Sequence, residues 1–410
     1  MMKHTILAAA VFFLGGEALV HAEDWPMWRG PRMDGTSLDK GFPTRVDGNV
    51  TWSVELPGEG HASPIVFGDR LFTVSAVAET EERVLTSIDR ASGKILWTKA
   101  VLKSPLEGKH KLNSHASSTP ATDGEKVFTT FLDQTEVVVS AHDFAGNQVW
   151  QVRPGVFASK HGFSSSPILF EDKVIVNCDH DGPGYIVALA RADGRELWRI
   201  ERPNNTRSYC APMIRELAGK TQMVLSGTKC VTSYDPHDGK LIWMMDGPTE
   251  QFVASLVYNE GADLLFLTCG FPEHHVMGIR PDGQGNVTAT HIAWRTNKGA
   301  AYVPSPVSCG DYFLVVSDSG IAHCFAAKSG EILWEERIKE HHASQVTAEG
   351  LAWFINDFGT MRVIKPGASY ELKAESEIGE KVFASPAMSN GQLFIRGATK
   401  LICLGKALAE

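Results

Sequence analysis

The sequence predicts an all-β fold, an eight-bladed β-propeller made of four-stranded antiparallel blades. The main observation is a repeated motif in which a glycine turn leads into a strand that ends in tryptophan. It occurs at residues 92–97, 145–150, 193–198, 238–243 and 329–334. Such a turn and strand are typical of a hairpin that buries an indole. Successive strand tryptophans lie roughly 40 to 50 residues apart, which is the period of propeller blades.

The two ends of the chain predict the eighth blade. Residues 50–56 resemble the tryptophan strand of a blade whose other strands are missing before it, while residues 380–404 resemble three strands with no tryptophan strand after them. Pairing between them would close the ring and remove the exposed sheet edges. Seven complete units lie between these ends, at 60–103, 114–153, 162–202, 208–246, 251–296, 301–338 and 342–375. The propeller is therefore predicted to span residues 50–405.

Most units open on small residues followed by proline, as in residues 61–64, 117–120 and 383–386. We label the strands of a blade A, at the axis, to D, at the rim, and expect small side chains where the A strands converge. Antiparallel order puts A–B and C–D turns on one face of the ring. The B–C turns and D-to-A connections share the other, which we call the long-loop face. These connections are longer and richer in polar residues, so we expect function there.

The segments before the propeller carry different signals. Residues 1–22 combine Lys3, an apolar run over 5–14 and a Val20-His21-Ala22 end, which is typical of a secretory signal peptide. The first cysteine is Cys178, so no lipid-acceptor cysteine lies near the cleavage point. We therefore expect a periplasmic or secreted protein with no membrane span and no lipid anchor. Residues 23–49 are rich in Gly and Pro and are expected to form an ordered lead-in that packs on the surface.

Charge and cysteine content narrow the class of protein. The net charge of −9 argues against a nucleic-acid partner, because such proteins usually carry a basic patch. The seven cysteines are an odd number and include no C-x-x-C motif. We expect them to be small buried core residues. The sequence also allows one disulfide bond between two of the cysteines, but it does not favour a zinc cluster.

Polar residues collect in the predicted long loops, and histidines are the most frequent of them. These histidines are His61, His110, His115, His161, His180, His274, His275, His341 and His342. Their companions are Ser63, Ser164, Arg207, Tyr209, Gln251, Tyr302 and Ser344. A ring of imidazoles can bind a transition metal, with His61 and His342 as candidates, or it can simply line a hydrated channel mouth. No blade alone contains a recognised spacing of metal ligands.

Two further loops allow a chemical interpretation. Asp179 and Asp181 precede Gly182 in the third unit, where they can present oxygens to Ca²⁺ or cap the backbone of the turn. Glu273 lies beside His274 and His275 in the fifth unit, and such a pairing suits acid–base chemistry or an ordinary surface ion pair. Both interpretations stay open in each loop.

The repeat also resembles a known family. Residues 89–97, Asp-Arg-Ala-Ser-Gly-Lys-Ile-Leu-Trp, are similar to the tryptophan-docking repeat of pyrroloquinoline-quinone-like (PQQ-like) β-propellers. The resemblance implies the propeller fold for nearly all of the mature chain. The family includes quinone- and calcium-dependent dehydrogenases of alcohols and sugars, and also cofactor-free members that bind peptides or proteins. Its alcohol dehydrogenases typically carry an adjacent cysteine pair, which this chain lacks, and no calcium ligand or catalytic aspartate can be matched by motif.

Three hypotheses follow. The leading one is an exported binding scaffold, without a cofactor, that takes a protein or small-molecule ligand at the channel mouth. The second is a periplasmic dehydrogenase that uses PQQ and Ca²⁺. The third is a metal-dependent enzyme that uses the histidines. The predicted ligand-binding face comprises His61, Ser63, His115, His161, Ser164, Asp179, His180, Asp181, Arg207, Tyr209, Gln251, Glu273, His274, His275, Tyr302, His341 and His342.

Overall fold

The computed structural model describes residues 22–158 and 160–407, so the predicted signal peptide lies outside the described residues except for Ala22. The described residues form eight antiparallel sheets and contain no helix, which confirms the predicted eight-bladed propeller. Within these two ranges there is accordingly no helix long and apolar enough to cross a membrane.

The first four blades follow the chain from strand A to strand D. Blade 1 consists of Ile65–Phe67, Arg70–Val77, Glu82–Asp89 and Ile95–Lys103. Blade 2 consists of Ala121–Thr122, Lys126–Asp133, Glu136–Asp143 and Gln148–Val156. Blade 3 consists of Ile168–Phe170, Lys173–Cys178, Tyr185–Ala190 and Glu196–Glu201. Blade 4 consists of Met213–Leu217, Lys220–Gly227, Cys230–Tyr234 and Leu241–Asp246, and its sheet gains Gly285–Asn286 as a fifth, parallel strand.

The remaining blades keep the same order. Blade 5 consists of Val257–Asn259, Leu264–Cys269, His275–Ile279 and Ile292–Thr296. Blade 6 consists of Val307–Cys309, Tyr312–Val316, Ile321–Ala326 and Ile332–Arg337. Blade 7 consists of Val346–Ala348, Leu351–Ile355, Thr360–Lys365 and Glu371–Glu377. Blade 8 consists of Ala387–Ser389, Gln392–Arg396 and Lys400–Leu404, and its D strand is Val50–Glu55.

The ring closes as the sequence predicts. Val50–Glu55 pairs antiparallel with Lys400–Leu404, and Ser53 lies opposite Ile402. The Trp52 side chain is buried, and its indole N–H donates to the Arg90 carbonyl oxygen in blade 1 at 2.9 Å. The closing strand therefore links the last blade to the first.

The same indole contact recurs between neighbouring blades. Each indole N–H donates to a main-chain carbonyl beside the C–D turn of the next blade, in the pairs Trp52–Arg90, Trp97–Phe144, Trp150–Arg191, Trp198–Pro236, Trp294–Ala327 and Trp334–Gly367. The turn glycine lets the indole approach, because a Cβ on Gly93 would lie 2.5 Å from the Trp52 ring. Trp243 differs and donates to Gln222 Oε1 at 2.8 Å, since the added strand Gly285–Asn286 lies along its own strand.

The lead-in is ordered, and residues 25–37 are mostly buried rather than laid on the surface as expected from the sequence, while residues 38–49 are partly exposed. Trp25 is 1% exposed and its main chain bridges Val66 in blade 1. The Arg29 side chain is 2% exposed and donates to the carbonyl oxygen of Ser305 at 3.2 Å, before the A strand of blade 6. Ser37 N–H donates to the Thr347 carbonyl oxygen in blade 7 at 2.8 Å. The segment thus crosses the ring at the A strands, where apolar and polar contacts hold it.

The cysteines confirm the expectation of buried core thiols. Six of the seven are buried, Cys309 is partly buried, and none of these described residues forms a disulfide. Burial raises the pKa of the Cys178 thiol to about 12. The thiols are therefore protonated and unreactive near neutral pH.

Candidate functional site

A cavity of about 400 Å³ opens on the ring axis at the long-loop face. We call it the funnel. All eight blades contribute to its wall through the chain just before each A strand. Because side chains of an extended chain alternate in direction, residues two apart face the same side. The funnel wall is accordingly made of two stacked rings of side chains.

The upper ring contains one half-buried residue from each blade. Its members are His61, Ser117, Ser164, Tyr209, Val253, Val303, His342 and Phe383. The ring is not uniform: two imidazoles and a phenyl ring come from blades 7, 8 and 1, while valines come from blades 5 and 6. The funnel therefore has chemically distinct sides, although the blades repeat.

The lower ring lies two residues further along each blade and is entirely buried. Its members are Ser63, Thr119, Ser166, Ala211, Ser255, Ser305, Ser344 and Ser385. At six of the eight positions the main-chain N–H donates to the hydroxyl of the next blade, at 2.8–3.1 Å. The small residues predicted at the axis thus have a second role, because their hydroxyls join neighbouring blades and form a rigid base for the upper ring.

The floor of the funnel comes from the lead-in. Trp28 is half-buried and lines the cavity, and the buried Arg29 beside it holds main-chain carbonyls of blade 6. An indole floor offers a flat apolar surface to whatever enters from the long-loop face.

The connection from blade 1 to blade 2 overhangs one side of the funnel. His110, Leu112 and Asn113 in this connection line the cavity. It is anchored by a buried ion pair between Arg83 and Glu107, and Asn113 Nδ2 donates to the His161 carbonyl oxygen at 2.8 Å. His115 belongs to the anchor, since its Nε2 lies 2.8 Å from the Glu107 carbonyl oxygen. The residue therefore supports the loop and does not line the funnel.

Blades 7, 8 and 1 place three rings side by side. The His61 imidazole stacks on Phe383 with centroids 4.7 Å apart, and the His342 imidazole lies 5.7 Å from the same phenyl ring. His342 Nδ1 is 2.6 Å from Asp357 Oδ2. We call His342, Phe383 and His61 the aromatic arc.

The two imidazoles of the arc have opposite electrostatic environments. Burial lowers the pKa of His61 to about 4, and the positive charge of Arg396 acts in the same direction. Burial also disfavours the charged form of His342, but the hydrogen bond and negative charge of Asp357 outweigh it and raise the pKa of His342 above its ordinary value. Near neutral pH, His61 is therefore neutral, while His342 is shifted toward its protonated form.

A second group of rings lies across the funnel. The His161 imidazole is 5.6 Å from His110 and 6.4 Å from Tyr209, measured between ring centroids. Burial lowers the pKa of His161. The Tyr302 hydroxyl donates to Gln251 Oε1 at 3.2 Å, so Gln251 positions a lining residue from behind. These contacts give this side of the funnel neutral hydrogen-bonding groups.

The predicted loop residues thus divide into two sets. The structure brings together in the funnel His61, His110, His161, Ser164, Tyr209, Tyr302, His342 and Ser344. The remaining predicted residues lie outside the lining, and Ser63 among them belongs to the buried lower ring.

The aspartates of the third unit occupy different environments. Asp179 is fully buried, 2.9 Å from Arg202 Nε, and accepts from Ser208 Oγ at 2.7 Å. Asp181 is exposed and pairs with Arg207. His180, between them, accepts a hydrogen bond from the Gly182 main chain through Nδ1 at 2.9 Å. The first aspartate therefore belongs to the interior and the second to the surface.

His275 in the fifth unit also has protein partners. His275 Nε2 is 3.2 Å from Glu273 Oε2, and its Nδ1 lies 3.0 Å from Arg295. His274 is exposed beside them. Over residues 22–158 and 160–407, no group of three or more His, Cys, Asp or Glu side chains is arranged to hold a metal ion.

Sequence reasoning missed several lining residues, of which Asp318 and Phe383 are chemically the most informative, and also missed Asp357, which positions His342. One signal for Phe383 was available. Aligning the eight units on their small lower-ring residue places Phe383 at the same position as His61 and His342. No comparable signal marks Asp318 or Asp357, because both come from B–C turns and not from the segments before the A strands that this alignment compares.

His341 makes stability depend on pH. Its imidazole is 1% exposed with Nδ1 2.6 Å from the Lys339 carbonyl oxygen, and burial lowers its pKa from 6.5 to about 4. Because its folded-state pKa is depressed, its contribution to stability is complete above the unfolded pKa and is lost as pH falls toward 4. We expect His341→Gln to remove about 1–2 kcal/mol of the decrease in free energy of unfolding between about pH 6.5 and 5. Urea denaturation checks this, and a variant with unchanged pH dependence would contradict it.

Comparison with known proteins fits this architecture. The sequence profile of a family described as outer membrane protein assembly factor BamB matches residues 44–119 and 80–256. The chain belongs to this family of PQQ-like β-propellers. No curated protein matches the chain by sequence.

Several solved propeller structures are similar to this chain in fold. BamB from Moraxella catarrhalis is 13% identical with a TM-score of 0.60, covering 87% of this chain and 99% of the other. A europium-containing methanol dehydrogenase is 11% identical with a TM-score of 0.59, covering 94% and 98%. The computationally designed Ika8 protein is 11% identical with a TM-score of 0.62, covering 88% and 100%. At these identities the likeness concerns the fold alone, so the funnel itself must indicate function.

Proposed function

We propose that this PQQ-like propeller is an exported binding module that takes a small molecule, or the end of a larger one, into the funnel, and that it works without a quinone. The observation that carries the proposal is the preformed concave site. Its upper ring is held by a hydrogen-bonded lower ring, and Trp28 forms its floor.

The size and rigidity of the funnel support a small ligand. Its volume of about 400 Å³ lies within the range of roughly 300–1,000 Å³ that is usual for small-molecule pockets. The upper ring belongs to chain segments fixed on both sides by neighbouring blades, so little conformational entropy is lost on binding. Its mixture of aromatic rings and hydroxyls provides both apolar contact and orientation.

The lining does not suit the cofactor of the family's enzymes. PQQ is a tricarboxylate, and the lining contains Asp318 but, in the described part of the chain, no Arg or Lys to balance several negative charges. The described residues also lack a cluster suited to Ca²⁺ or another metal beside the funnel. The dehydrogenase and metalloenzyme hypotheses therefore have less support from the site than the binding module has.

The test uses benzamide, a small neutral aromatic probe. We expect benzamide soaked into crystals to lie in the funnel on Trp28, and we expect Trp28→Ala to weaken its NMR-measured affinity about tenfold through the lost aromatic contact. Trp198→Ala is the matched control, since Trp198 is half-buried on the outer strand of blade 3 and should leave binding unchanged.

Two results would overturn the proposal. Benzamide that fails to bind, or that binds outside the funnel, removes the evidence for a ligand site. Reduction of an artificial electron acceptor after addition of PQQ and Ca²⁺ would instead support the dehydrogenase hypothesis.

A further inference from the structure

The wall formed by blades 7, 8 and 1 presents an imidazole nitrogen in a fixed orientation to the funnel. His342 Nδ1 is held by Asp357, and the two side chains are 15% and 13% exposed. Among the described residues Nε2 of His342 has no hydrogen-bonding partner, although the ring lines the cavity. The carboxylate accepts the Nδ1–H and so fixes the ring orientation, and Nε2 carries a proton to donate to a ligand when the imidazole is protonated.

Positive charge also lies behind this wall. Arg396 is 1% exposed and donates to Thr73 Oγ1 at 2.7 Å and to Ser75 Oγ at 2.9 Å. It forms no ion pair with any carboxylate of residues 22–158 and 160–407, so its charge is not neutralised locally. The field of Arg396 reaches the funnel, since it contributes to the lowered pKa of His61.

The carboxylate of Asp318 lines the funnel on blade 6, next to blade 7, and it is hydrogen-bonded to the main chain. Asp318 accepts main-chain N–H groups through both carboxylate oxygens, from Tyr302 at 2.9 Å and from Val303 at 3.1 Å. These bonds direct its oxygens toward the backbone of blade 6. The funnel therefore has an anion-attracting side at the aromatic arc and an anion-repelling side at Asp318.

We propose that the natural ligand of the funnel is a small monocarboxylate with a planar apolar body, whose carboxylate accepts the Nε2–H of His342 while its body packs on Phe383. This inference rests on the proposed binding function and adds the chemical class of the ligand. The neutral His61 completes the stacking surface beside Phe383.

The charges present favour one carboxylate over several. When protonated, His342 supplies a single cationic donor, and the charge of Arg396 acts only from behind the wall. A second anionic group would meet Asp318 or the neutral hydroxyls of the lower ring. A cationic ligand would instead face His342 and Arg396 without a free carboxylate on that side.

The experiment compares benzoate with benzamide, which have nearly the same shape but differ in charge. We expect benzoate to bind about tenfold more tightly than benzamide at pH 6, because a charge-assisted hydrogen bond exceeds a neutral one by roughly that factor. Both dissociation constants are measured by NMR titration of the purified protein. Phenyl phosphate is a third probe, and tighter binding of this dianion than of benzoate would overturn the monocarboxylate assignment.

Variants of His342 and Asp357 test whether this pair causes the preference for benzoate. His342→Gln and Asp357→Asn should each reduce the benzoate-to-benzamide ratio to near one, since both remove the charge-assisted hydrogen bond. His323→Gln is the matched control. Its Nε2 pairs with Glu335 at 3.1 Å but the ring lies outside the funnel lining, so the ratio should be unchanged. Near-ultraviolet circular dichroism verifies that each variant is folded.

A pH series on the wild-type protein tests the role of His342 without a substitution. The charged and titratable groups around His342 are Asp357, Asp318, His341 and His61, and the charges of Arg396 and Lys109 act on His61. The benzoate preference should decline as pH rises through the pKa of His342, while benzamide affinity stays constant. His61 and His341, whose pKa values are about 4, titrate well below this range.

The outcomes separate the two proposals. Benzamide binding with a wild-type ratio near one overturns the carboxylate inference and leaves the binding function intact. Absence of binding by both probes overturns the binding function itself. A ratio that persists in folded His342→Gln, or that does not change with pH, also overturns the role of His342.

Discussion

Replacing Asp179 with alanine is expected to lower the free energy of unfolding by about 3–5 kcal/mol. The carboxylate and the Arg202 guanidinium are both fully buried at 2.9 Å. Burial disfavours the charged form of Arg202, but the negative charge of Asp179 outweighs it and raises the Arg202 pKa. Removing the carboxylate leaves a buried cation whose hydrogen bonds to Thr232 and Tyr234 do not neutralise it. Urea denaturation measures the loss.

Asp181→Ala is the matched control for this prediction. Asp181 is two residues away, lies on the surface and pairs with Arg207, so its removal should cost less than about 1 kcal/mol. Equal costs for the two variants would contradict the buried-pair argument. The comparison also bears on the calcium hypothesis, since stabilisation of the wild type by Ca²⁺, absent in both variants, would mean that the aspartates bind the ion together.

The architecture was predictable because its determinants are local and repeated. A turn glycine and a strand tryptophan, as in Gly93 and Trp97, mark the same step of every typical blade. The incomplete units at the two ends predicted the pairing of Val50–Glu55 with Lys400–Leu404. Even the departure at blade 7 was visible, where Glu371–Glu377 replaces the tryptophan strand.

The candidate site was only partly predictable, because strand register decides which of two adjacent residues faces the axis. His341 and His342 are neighbours in sequence, yet His341 is buried against the Lys339 carbonyl while His342 lines the funnel. Alternation explains this difference once the lower-ring Ser344 is identified. Histidine content alone could not supply that register.

The sequence pattern could not predict contacts between segments that are distant along the chain. Asp357 reaches His342 from the B–C turn of the same blade, and Trp28 reaches the floor from the lead-in. The lead-in showed no strand periodicity, since its contacts are isolated bridges and side-chain bonds, as at Trp25 and Arg29. Nothing in its composition distinguished a buried crossing segment from a surface one.

Trp52 offers the second large effect, because it belongs to the strand that closes the ring. We expect Trp52→Ala to lower the free energy of unfolding by about 3–5 kcal/mol, the usual cost of removing a buried large aromatic side chain. The indole packs on Phe394 with centroids 6.1 Å apart, lies against Gly93 and donates to the Arg90 carbonyl. Its loss therefore weakens contacts within blade 8 and between blades 8 and 1.

Trp97→Ala separates the effect of burying the indole from the effect of the hydrogen bond that the motif forms. Trp97 makes the same kind of hydrogen bond, to the Phe144 carbonyl at 2.9 Å, but its side chain is only half-buried. We expect a loss of about 1–3 kcal/mol, because less apolar surface returns to water. Urea denaturation of both variants decides the point. A cost at Trp97 equal to that at Trp52 would mean that the shared hydrogen bond, rather than burial at the closing strand, determines how strongly each tryptophan holds the ring.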